Sequence, residues 1–567
     1  MREYNRTFNC GANHLRIVQC LRRPKSAVLL PAKAAERSRA RALSALALIP
    51  SVALLHACGG GGGGGSTLTG GGSTTSGWVQ GQFLPESRFA ALCASPRTGI
   101  DPKTGMAYPD RQGTALDEKN WLRSWTNDLY LWFSEVPDQD PAGFATDLAY
   151  FNVLKTTATT ASGKPKDRFH FTYATATWEA LSQSGMEPGY GANFVIISGT
   201  PPRDVVISYT QPGSPAASAP ANLARGAQIL TIDGVDLVNA SDQTSINTLN
   251  AGLSPQTVGE SHTFSIQDAG AATPRTVTLV SADITETPVQ NVRSIPTAAG
   301  DVIGYMLFND HIATAEAELV AAFGQLKSAG VHDLILDIRY NGGGYLDIAS
   351  EVAYMIAGPA PTAGQTFELD QFNSKYPTMN PVTQSALTPL GFHATTQGFS
   401  PSLAAGQALP TLNLPRVFVL TTASTCSASE AIINSLRGVH VEVIQIGTTT
   451  CGKPYAFYPA ENCAVTYFSI EFQGVNAQNF GNYPDGFTPQ NTIATQGVLV
   501  PGCSVADDFT HALGDPAEGL LASALSYRAN GVCPLPPSSV QPAPPLQAGS
   551  IKSIWRQNRI YRSPASQ

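Results

Sequence analysis

An apolar run at residues 334–338, Leu-Ile-Leu-Asp-Ile, leads after three further residues to the glycine triplet at 342–344. The pattern predicts a buried strand, a tight turn and then a helix from about Leu346. Other apolar runs and one helical pattern lie on either side, so that strands and helices alternate, which indicates an α/β fold. The additional strands are predicted at 303–308, 416–421 and 441–446, and the additional helix at about 313–329.

Two polar segments follow the later strands. The run Cys-Ser-Ala-Ser-Glu at 426–430 opens a predicted helix, and Lys453 follows the strand at 441–446. A serine hydroxyl becomes a nucleophile only when another group takes its proton, and a lysine can do so only when burial lowers its pKa from about 10.4. The apolar strand before Lys453 favours that burial. Ser427 and Lys453 together therefore predict a serine–lysine hydrolase.

Acyl transfer also needs N–H donors where the tetrahedral oxyanion develops. The glycines at 342–344 let backbone N–H groups approach a ligand, and the N–H of Ala428 comes directly after the predicted nucleophile. Each donor is expected where a strand turns into a helix, which suits the chemistry.

These segments resemble the C-terminal processing peptidases, the tail-specific serine proteases of family S41. Three patterns of that family occur in order, namely Asp-x-Arg-x-Asn-x-Gly-Gly at 337–344, Ser-Ala-Ser-Glu at 427–430 and Gly-Lys at 452–453. The resemblance covers roughly residues 117–533. It implies a protease core folded as a β-β-α spiral, like ClpP and crotonase, and no cofactor.

The resemblance also implies a role for each residue of the motifs. Ser427 would attack the substrate, Lys453 would be the general base, and Glu430 would help to orient the pair. Gly343 and Ala428 would form the oxyanion hole. Protein or peptide substrates are expected.

Other interpretations of these residues stay open. A serine that opens a helix is often only its N-cap, and an acid in the first turn, such as Glu430, is favoured by the helix dipole. His170 or His311 could serve a Ser-His-Asp site, and Cys426 could be a nucleophile or a small apolar residue. The sequence has no Gly-x-Ser-x-Gly elbow, no His-Glu-x-x-His motif and no spacing typical of metal ligands, so no metal is predicted.

Residues 186–285 resemble a PDZ domain. A loop of Gly189, Tyr190, Gly191 and Ala192 precedes an apolar strand at 194–197. In such a domain the loop can present N–H groups to a terminal carboxylate, while the edge strand receives the peptide by β-augmentation. The resemblance therefore implies recognition of C-terminal tails.

The N-terminal segment suggests export. Arg37, Arg39 and Arg41 precede an apolar run at 42–57, which is typical of a signal peptide and too short and proline-broken for a membrane span. The run ends in a sequence that resembles a bacterial lipobox, with Cys58 as the lipidated residue. We therefore expect a lipoprotein of the bacterial cell envelope that faces the periplasm, anchored through Cys58 to the outer membrane.

Charge argues against a nucleic-acid partner. Residues 1–57 contain ten Lys/Arg and two Asp/Glu, a net charge of +8. Because the whole chain carries −7, the remainder carries −7 − 8 = −15.

The expected organisation is a multidomain α/β protein with six segments. A signal peptide and a flexible Gly/Ser-rich tether precede a helical region, which is predicted from the apolar helical stripe of Trp121, Leu122, Trp125 and Leu129. The PDZ-like domain, the protease core and a proline-rich basic tail follow. The boundaries are 1–57, 58–78, 79–185, 186–285, 286–533 and 534–567.

Disulfides are expected in an exported chain. Six cysteines remain after the leader and Cys58, and they allow fifteen pairings. We suggest Cys451–Cys463, which would flank a hairpin around Lys453, and Cys503–Cys533, which would bracket the last core helix.

The sequence thus predicts an exported serine endopeptidase that acts after recognising the C-terminal region of its substrate. A non-catalytic peptide-binding lipoprotein of the envelope is the alternative from another class. An esterase would share the same site and differ in its substrate.

Overall fold

The computed structural model describes residues 78–492, 497–534 and 549–551. The predicted signal peptide, Cys58 and all but the last residue of the tether lie outside the described residues, as does most of the tail. Within the described ranges, no helix has the length and apolar character needed to cross a membrane.

A six-stranded sheet forms the centre of the predicted protease core. Its first two strands are antiparallel and all later neighbours are parallel. In spatial order the strands are Val289–Pro296, Val302–Phe308, Asp333–Asp337, Arg416–Thr421, Glu442–Gly447 and Gly502–Ser504. The four strands predicted from apolar runs are all present, each within two residues of its expected bounds.

Helices cover both faces of this sheet. Ala315–Ser328, Leu346–Ala357 and Ala428–Gly438 pack on one face, and Gly519–Asn530 packs on the other. Side chains alternate between the two layers, because successive residues of a strand point to opposite faces. Leu334 and Leu336 therefore join the first hydrophobic core and Ile335 joins the second. The predicted mixed α/β core is confirmed.

A second sheet occupies the 186–285 region. Its strands run in the order Arg275–Val280, Ser261–Gln267, Gln228–Ile232, Asp204–Thr210, Ala192–Ser198 and Gly549–Ile551, and Val235–Asp236 pairs with Gln228–Ile232. Helix Gln243–Leu253 contributes Leu249 and Leu253 to its core. Val195 and Val206 belong to the second hydrophobic core of the protease sheet, so the two regions share buried surface.

The predicted N-terminal helix extends over Ala115–Leu129, and its Thr114 and Asp117 form a capping box. Trp121, Leu122 and Trp125 are buried in a cluster that includes Tyr467 from the core. The other helical turns are Glu86–Arg88, Phe133–Glu135, Pro141–Gly143, Asp147–Phe151, Thr175–Glu179, Ala180–Ser184 and Pro359–Thr362.

Short strands complete the fold. Thr366–Phe372 lies between Leu390–Gly391 and Phe472–Val475, and the latter also pairs with Tyr455–Ala456. Ala460–Asn462 and Val465–Phe468 form a hairpin that pairs with Phe171–Ala174. The remaining strands are Leu92–Cys93, Arg111–Gln112, Met186–Gly189, Ala282–Thr285, Met379–Asn380, Ser385–Ala386, Phe487–Pro489 and Val498–Val500.

Burial raises the pKa of five acidic side chains to about 7 or higher. Burial, with the charge of Glu316, raises the pKa of Glu351 to about 9. Burial is also the main cause for the other four, whose pKa values rise to about 8 in Glu368 and Glu471 and to about 7 in Glu318 and Asp370.

We expect the thermal stability to fall as the pH rises from about 5 to 9. The unfolded chain releases these protons near its ordinary values of 4.5 and 3.8, whereas the folded chain holds them up to higher pH. Unfolding therefore releases protons in this range, and raising the pH favours it. Calorimetry across the range should show a falling Tm, with a shallower slope in Glu351→Gln. A Tm that rises with pH would contradict the expectation.

Candidate active site

Ser427 lies at the turn between strand Arg416–Thr421 and helix Ala428–Gly438. It occupies the N-cap position, but its φ of 56° and ψ of −117° differ from the extended conformation that an ordinary N-cap adopts. A positive φ is rare for a residue other than glycine, and such strained residues cluster at functional sites. The side chain is partly exposed. The local backbone thus favours a nucleophile more than a simple cap.

Glu430 joins the two predicted catalytic segments. Its side chain is fully buried, and its Oε2 accepts the backbone N–H of Ser427 at 3.0 Å and that of Lys453 at 2.8 Å. Its Oε1 accepts the N–H of Gly452 at 2.8 Å and the hydroxyl of Thr450 at 2.5 Å. Burial raises the pKa of Glu430, and these hydrogen bonds oppose the rise. One carboxyl group therefore holds residues 26 positions apart in sequence.

Lys453 is buried, with 7% of its surface exposed. Its Nζ lies 4.0 Å from the ring centroid of Phe457 and 5.2 Å from that of Phe169. These rings supply the packed surroundings that the sequence led us to expect for a lysine base. Access of water to the amine is accordingly limited.

Arg168 supports the base loop, which we define as residues 450–453. Its guanidinium donates to the carbonyl oxygens of Cys451, of Gly452 at 3.3 Å and of Pro484 at 3.2 Å. Burial lowers the pKa of this arginine. The sequence did not indicate this contact, because Arg168 lies 283 residues before Cys451 and no local pattern links them.

The glycine turn, residues 341–344, lies against the start of the Ser427 helix. Gly343 has a φ of +95°, and a Cβ built on it would lie 2.8 Å from Ser427 Cβ and 2.9 Å from the nitrogen of Ala428. The two residues predicted to form the oxyanion hole are therefore neighbours. In this conformation, however, the Gly343 N–H donates to Asn341 Oδ1 at 2.9 Å.

Arg339, in the same motif as Gly343, has a different environment. It is fully buried and forms ion pairs with Asp337, Asp507 and Glu518 at 2.7–2.9 Å. Asp507 also pairs with Arg225 of the 186–285 region at 2.6 Å. This network holds the strand before the glycine turn and links it to the neighbouring region.

The two histidines weighed as alternative bases have other contacts. His170 Nε2 lies 2.9 Å from the carbonyl oxygen of Phe151, and its ring stacks on the Phe151 ring. His311 lies beside the glycine turn, with its Nδ1 2.9 Å from Asn341 Oδ1. Neither of these hydrogen bonds is with Ser427.

Three disulfides lie in the described chain: Cys93–Cys463, Cys426–Cys451 and Cys503–Cys533. The suggested Cys451–Cys463 pair is wrong. The hairpin that carries Cys463 pairs with Phe171–Ala174 and lies near Cys93, whereas the Cys451 N–H donates to the Thr425 carbonyl, next to Cys426. Cys426 is therefore neither a free apolar residue nor a free nucleophilic thiol.

Replacement of the Glu430 carboxyl group by an amide is expected to disturb both segments. In Glu430→Gln an amide NH₂ would face backbone N–H donors, and a buried donor left without its acceptor costs about 1–3 kcal/mol. We expect a lower Tm and much slower turnover. Glu368→Gln is the matched control, because burial already raises the pKa of Glu368 to about 8 and its neutral form predominates near pH 7. Equal melting and turnover in both variants would contradict the role of Glu430.

The Cys426–Cys451 disulfide is expected to matter for activity as well as stability. It joins the segment of Ser427 to the base loop across a sequence separation of 25, and breaking it should cost about 3 kcal/mol of stability. We expect kcat to fall about tenfold in Cys426→Ser/Cys451→Ser, because the two segments can separate. Cys503→Ser/Cys533→Ser opens a similar span of 30 residues away from Ser427 and should keep its kcat. An equal loss of kcat in the two double variants would show that the loss follows from lower stability and not from the position of the disulfide.

Comparison with known proteins shows which protein family part of this chain resembles. Residues 302–457 match the model of peptidase family S41, and this range includes the four residues predicted for the dyad and the oxyanion hole, together with Glu430. Over 321 residues the chain is 28% identical to the carboxyl-terminal-processing protease of Picosynechococcus, covering 55% of this chain and 67% of that protein. Over 162 residues it is 30% identical to the chloroplastic C-terminal processing peptidase of Tetradesmus obliquus, covering 27% of this chain and 34% of the relative.

A solved structure of an S41 protease from Bacteroides fragilis has a similar fold. The TM-score is 0.54 at 24% identity, and the alignment covers 75% of this chain and 98% of that one. The matches together support the resemblance of this chain to the S41 C-terminal processing peptidases, and the solved structure shares its mixed α/β fold.

Proposed function

We propose that this chain is a serine endopeptidase that forms an acyl-enzyme on Ser427 with Lys453 as its general base. One observation carries the proposal. A single oxygen of Glu430 accepts the backbone N–H of both residues, so the predicted nucleophile and base lie at one place in the fold.

The chemistry follows from these positions. Ser427 Oγ attacks the substrate carbonyl while Lys453 Nζ takes its proton, and the C–O bond that forms places negative charge on the carbonyl oxygen. The Ala428 N–H stabilises this charge, and the Gly343 N–H adds to it once the oxyanion competes with Asn341 for that donor. Collapse breaks the C–N bond, and Lys453 returns the proton to the leaving amine. A water molecule, activated by the same lysine, then hydrolyses the ester.

We also propose that the 186–285 region binds the C-terminal tail of the substrate, as a PDZ domain does. The carbonyl oxygens of Tyr190 and Gly191 accept the N–H groups of Ala216 and Gln211, which ties the loop to the sheet behind it. A pocket opens between this loop and the end of helix Gln243–Leu253, next to strand Ala192–Ser198. The names of the relatives, carboxyl-terminal-processing protease and C-terminal processing peptidase, favour the same type of substrate.

Export to the bacterial cell envelope, with a lipid on Cys58, completes the proposal. Three disulfides in the described chain favour an oxidising compartment, since cytosolic proteins rarely keep them.

The test is degradation of an unfolded protein by the chain from Trp78 onward, in wild type and Ser427→Ala. A fluorophosphonate reagent should label Ser427, and the variant should lose both labelling and degradation. Hydrolysis of esters without peptides would indicate an esterase. Tail binding without any hydrolysis would favour the non-catalytic peptide-binding lipoprotein.

A further inference from the structure

The edge of the second sheet is already paired with a segment from the far end of the chain. Strand Ala192–Ser198 has Asp204–Thr210 on one side and Gly549–Ile551 on the other. We propose that residues 549–551 act as an internal ligand of this edge and compete with the tail of a substrate. The inference rests on the proposed role of the 186–285 region in tail binding.

The register of the pairing matches the way in which a tail would bind. Gly549, Ser550 and Ile551 lie opposite Ile196, Val195 and Phe194, in antiparallel order. The segment therefore advances along the edge toward the glycine loop at 189–192, as a peptide does in β-augmentation. A substrate tail that pairs with the same backbone groups cannot do so while the segment is in place.

The internal segment lacks one feature of a true tail. Ile551 is followed by residues 552–567, so the strand does not end in a carboxylate that the glycine loop could bind. A substrate with a free C-terminus can add that interaction. The internal ligand should therefore exclude peptides that bind weakly and be displaced by peptides that bind tightly.

Charge favours the pairing as well. Residues 552–567 contain four Lys/Arg and no Asp/Glu. Glu187 and Glu286 are among the residues that line the pocket beside strand Ala192–Ser198. The opposite charges of these two sets of residues favour the pairing of 549–551 with the sheet, and this contribution weakens with salt.

Tethering sets the expected size of the effect. A segment that belongs to the same chain as its site meets that site at an effective concentration on the order of millimolar. A segment that by itself binds at about 0.1 mM would then weaken the apparent binding of a competitor about tenfold.

The test uses the chain from Trp78 with Ser427→Ala, and a dye-labelled peptide of residues 545–556 as the probe. In Ser550→Pro/Ile551→Pro, two consecutive N–H groups are lost, and since N–H directions alternate along a strand, at least one of them faces the edge. The probe should bind this variant about tenfold more tightly than the parent. Ser538→Pro/Ser539→Pro, in the same tail but outside the strand, is the matched control and should behave as the parent does.

Hydrogen exchange of residues 192–198 gives a second readout. The amides of this strand that face residues 549–551 should exchange at least about tenfold faster in Ser550→Pro/Ile551→Pro, and added probe should restore their protection, whereas the amides that face Asp204–Thr210 should change little. Equal probe affinity and equal exchange in all three proteins would overturn the inference. Neither readout requires catalysis. If proteins that keep Ser427 do not cleave a substrate, the proposed function is refuted, but the binding and exchange results still stand.

Discussion

Substitution of Lys453 by methionine should lower kcat on an unfolded protein about 10³- to 10⁴-fold and leave the fold intact. A positioned general base contributes roughly 10²- to 10⁴-fold to a rate, and serine has no other activator in the proposed mechanism. Methionine keeps an unbranched apolar chain against Phe169 and Phe457, whose rings surround the amine. The loss should therefore affect acyl-enzyme formation as well as the later hydrolysis of the ester, and Tm should change little.

Stopped-flow measurement of the acylation step would locate the defect. Lys375→Met is the matched control, because its Nζ lies 4.2 Å from the ring centroid of Phe133 and the variant loses a similar cation–π contact outside the site. Its acylation rate should equal that of the wild type. If Lys453→Met keeps its turnover and His311→Ala loses it, the general base is His311, which lies beside the glycine turn, and not Lys453.

Local patterns were sufficient to predict the central sheet. The strands at 303–308, 334–338, 416–421 and 441–446 are apolar runs that are buried by helices on both faces, and such burial leaves a clear signal in sequence. The turn before the helix at Leu346 was predicted from the glycine triplet, which is also a local signal. Strand Thr366–Phe372 was not predicted, because its pairing partners Leu390–Gly391 and Phe472–Val475 lie far away in sequence.

Contacts between distant segments account for what was missed at the site. Cys93 and Cys463 are 370 residues apart, and spacing alone suggested a nearer partner for Cys463. Arg168 reaches the base loop from the N-terminal region, and residues 549–551 reach the second sheet from the tail. Each depends on how whole regions pack, which no short motif encodes.

The motif residues themselves divide into two groups. Gly343 and Ser427 meet at the site, whereas Arg339 lies in a buried ion-pair network with Asp337. A buried arginine that lost its carboxylate partners would be strongly destabilising. Arg339 therefore belongs to the motif because its ion pairs hold the strand that precedes the glycine turn.

Gly343→Ala is expected to reduce kcat about 10³-fold or more. The added Cβ would lie 2.8 Å from the Cys426 carbonyl oxygen and from Ser427 Cβ, and 2.9 Å from the Ala428 nitrogen. These atoms belong to backbone or to the nucleophile itself, so the Ser427 segment has to move. Loss of one oxyanion donor lowers kcat about 10²- to 10³-fold, and a shift of about 1 Å in the reacting groups can add about 10²-fold.

Gly330→Ala separates this steric effect from backbone strain. Gly330 has a φ of +65°, and nothing lies within 4 Å of its would-be Cβ, so alanine there introduces strain of about 1–2 kcal/mol without a clash. Both variants should melt at lower temperature than the wild type, but only Gly343→Ala should lose turnover. Its fluorophosphonate labelling of Ser427 should slow in parallel, whereas tail binding by the 186–285 region should stay unchanged. A methyl group beside the Ala428 nitrogen leaves no room for a substrate oxyanion at the same place. Normal turnover in Gly343→Ala would therefore show that the oxyanion binds away from the glycine turn.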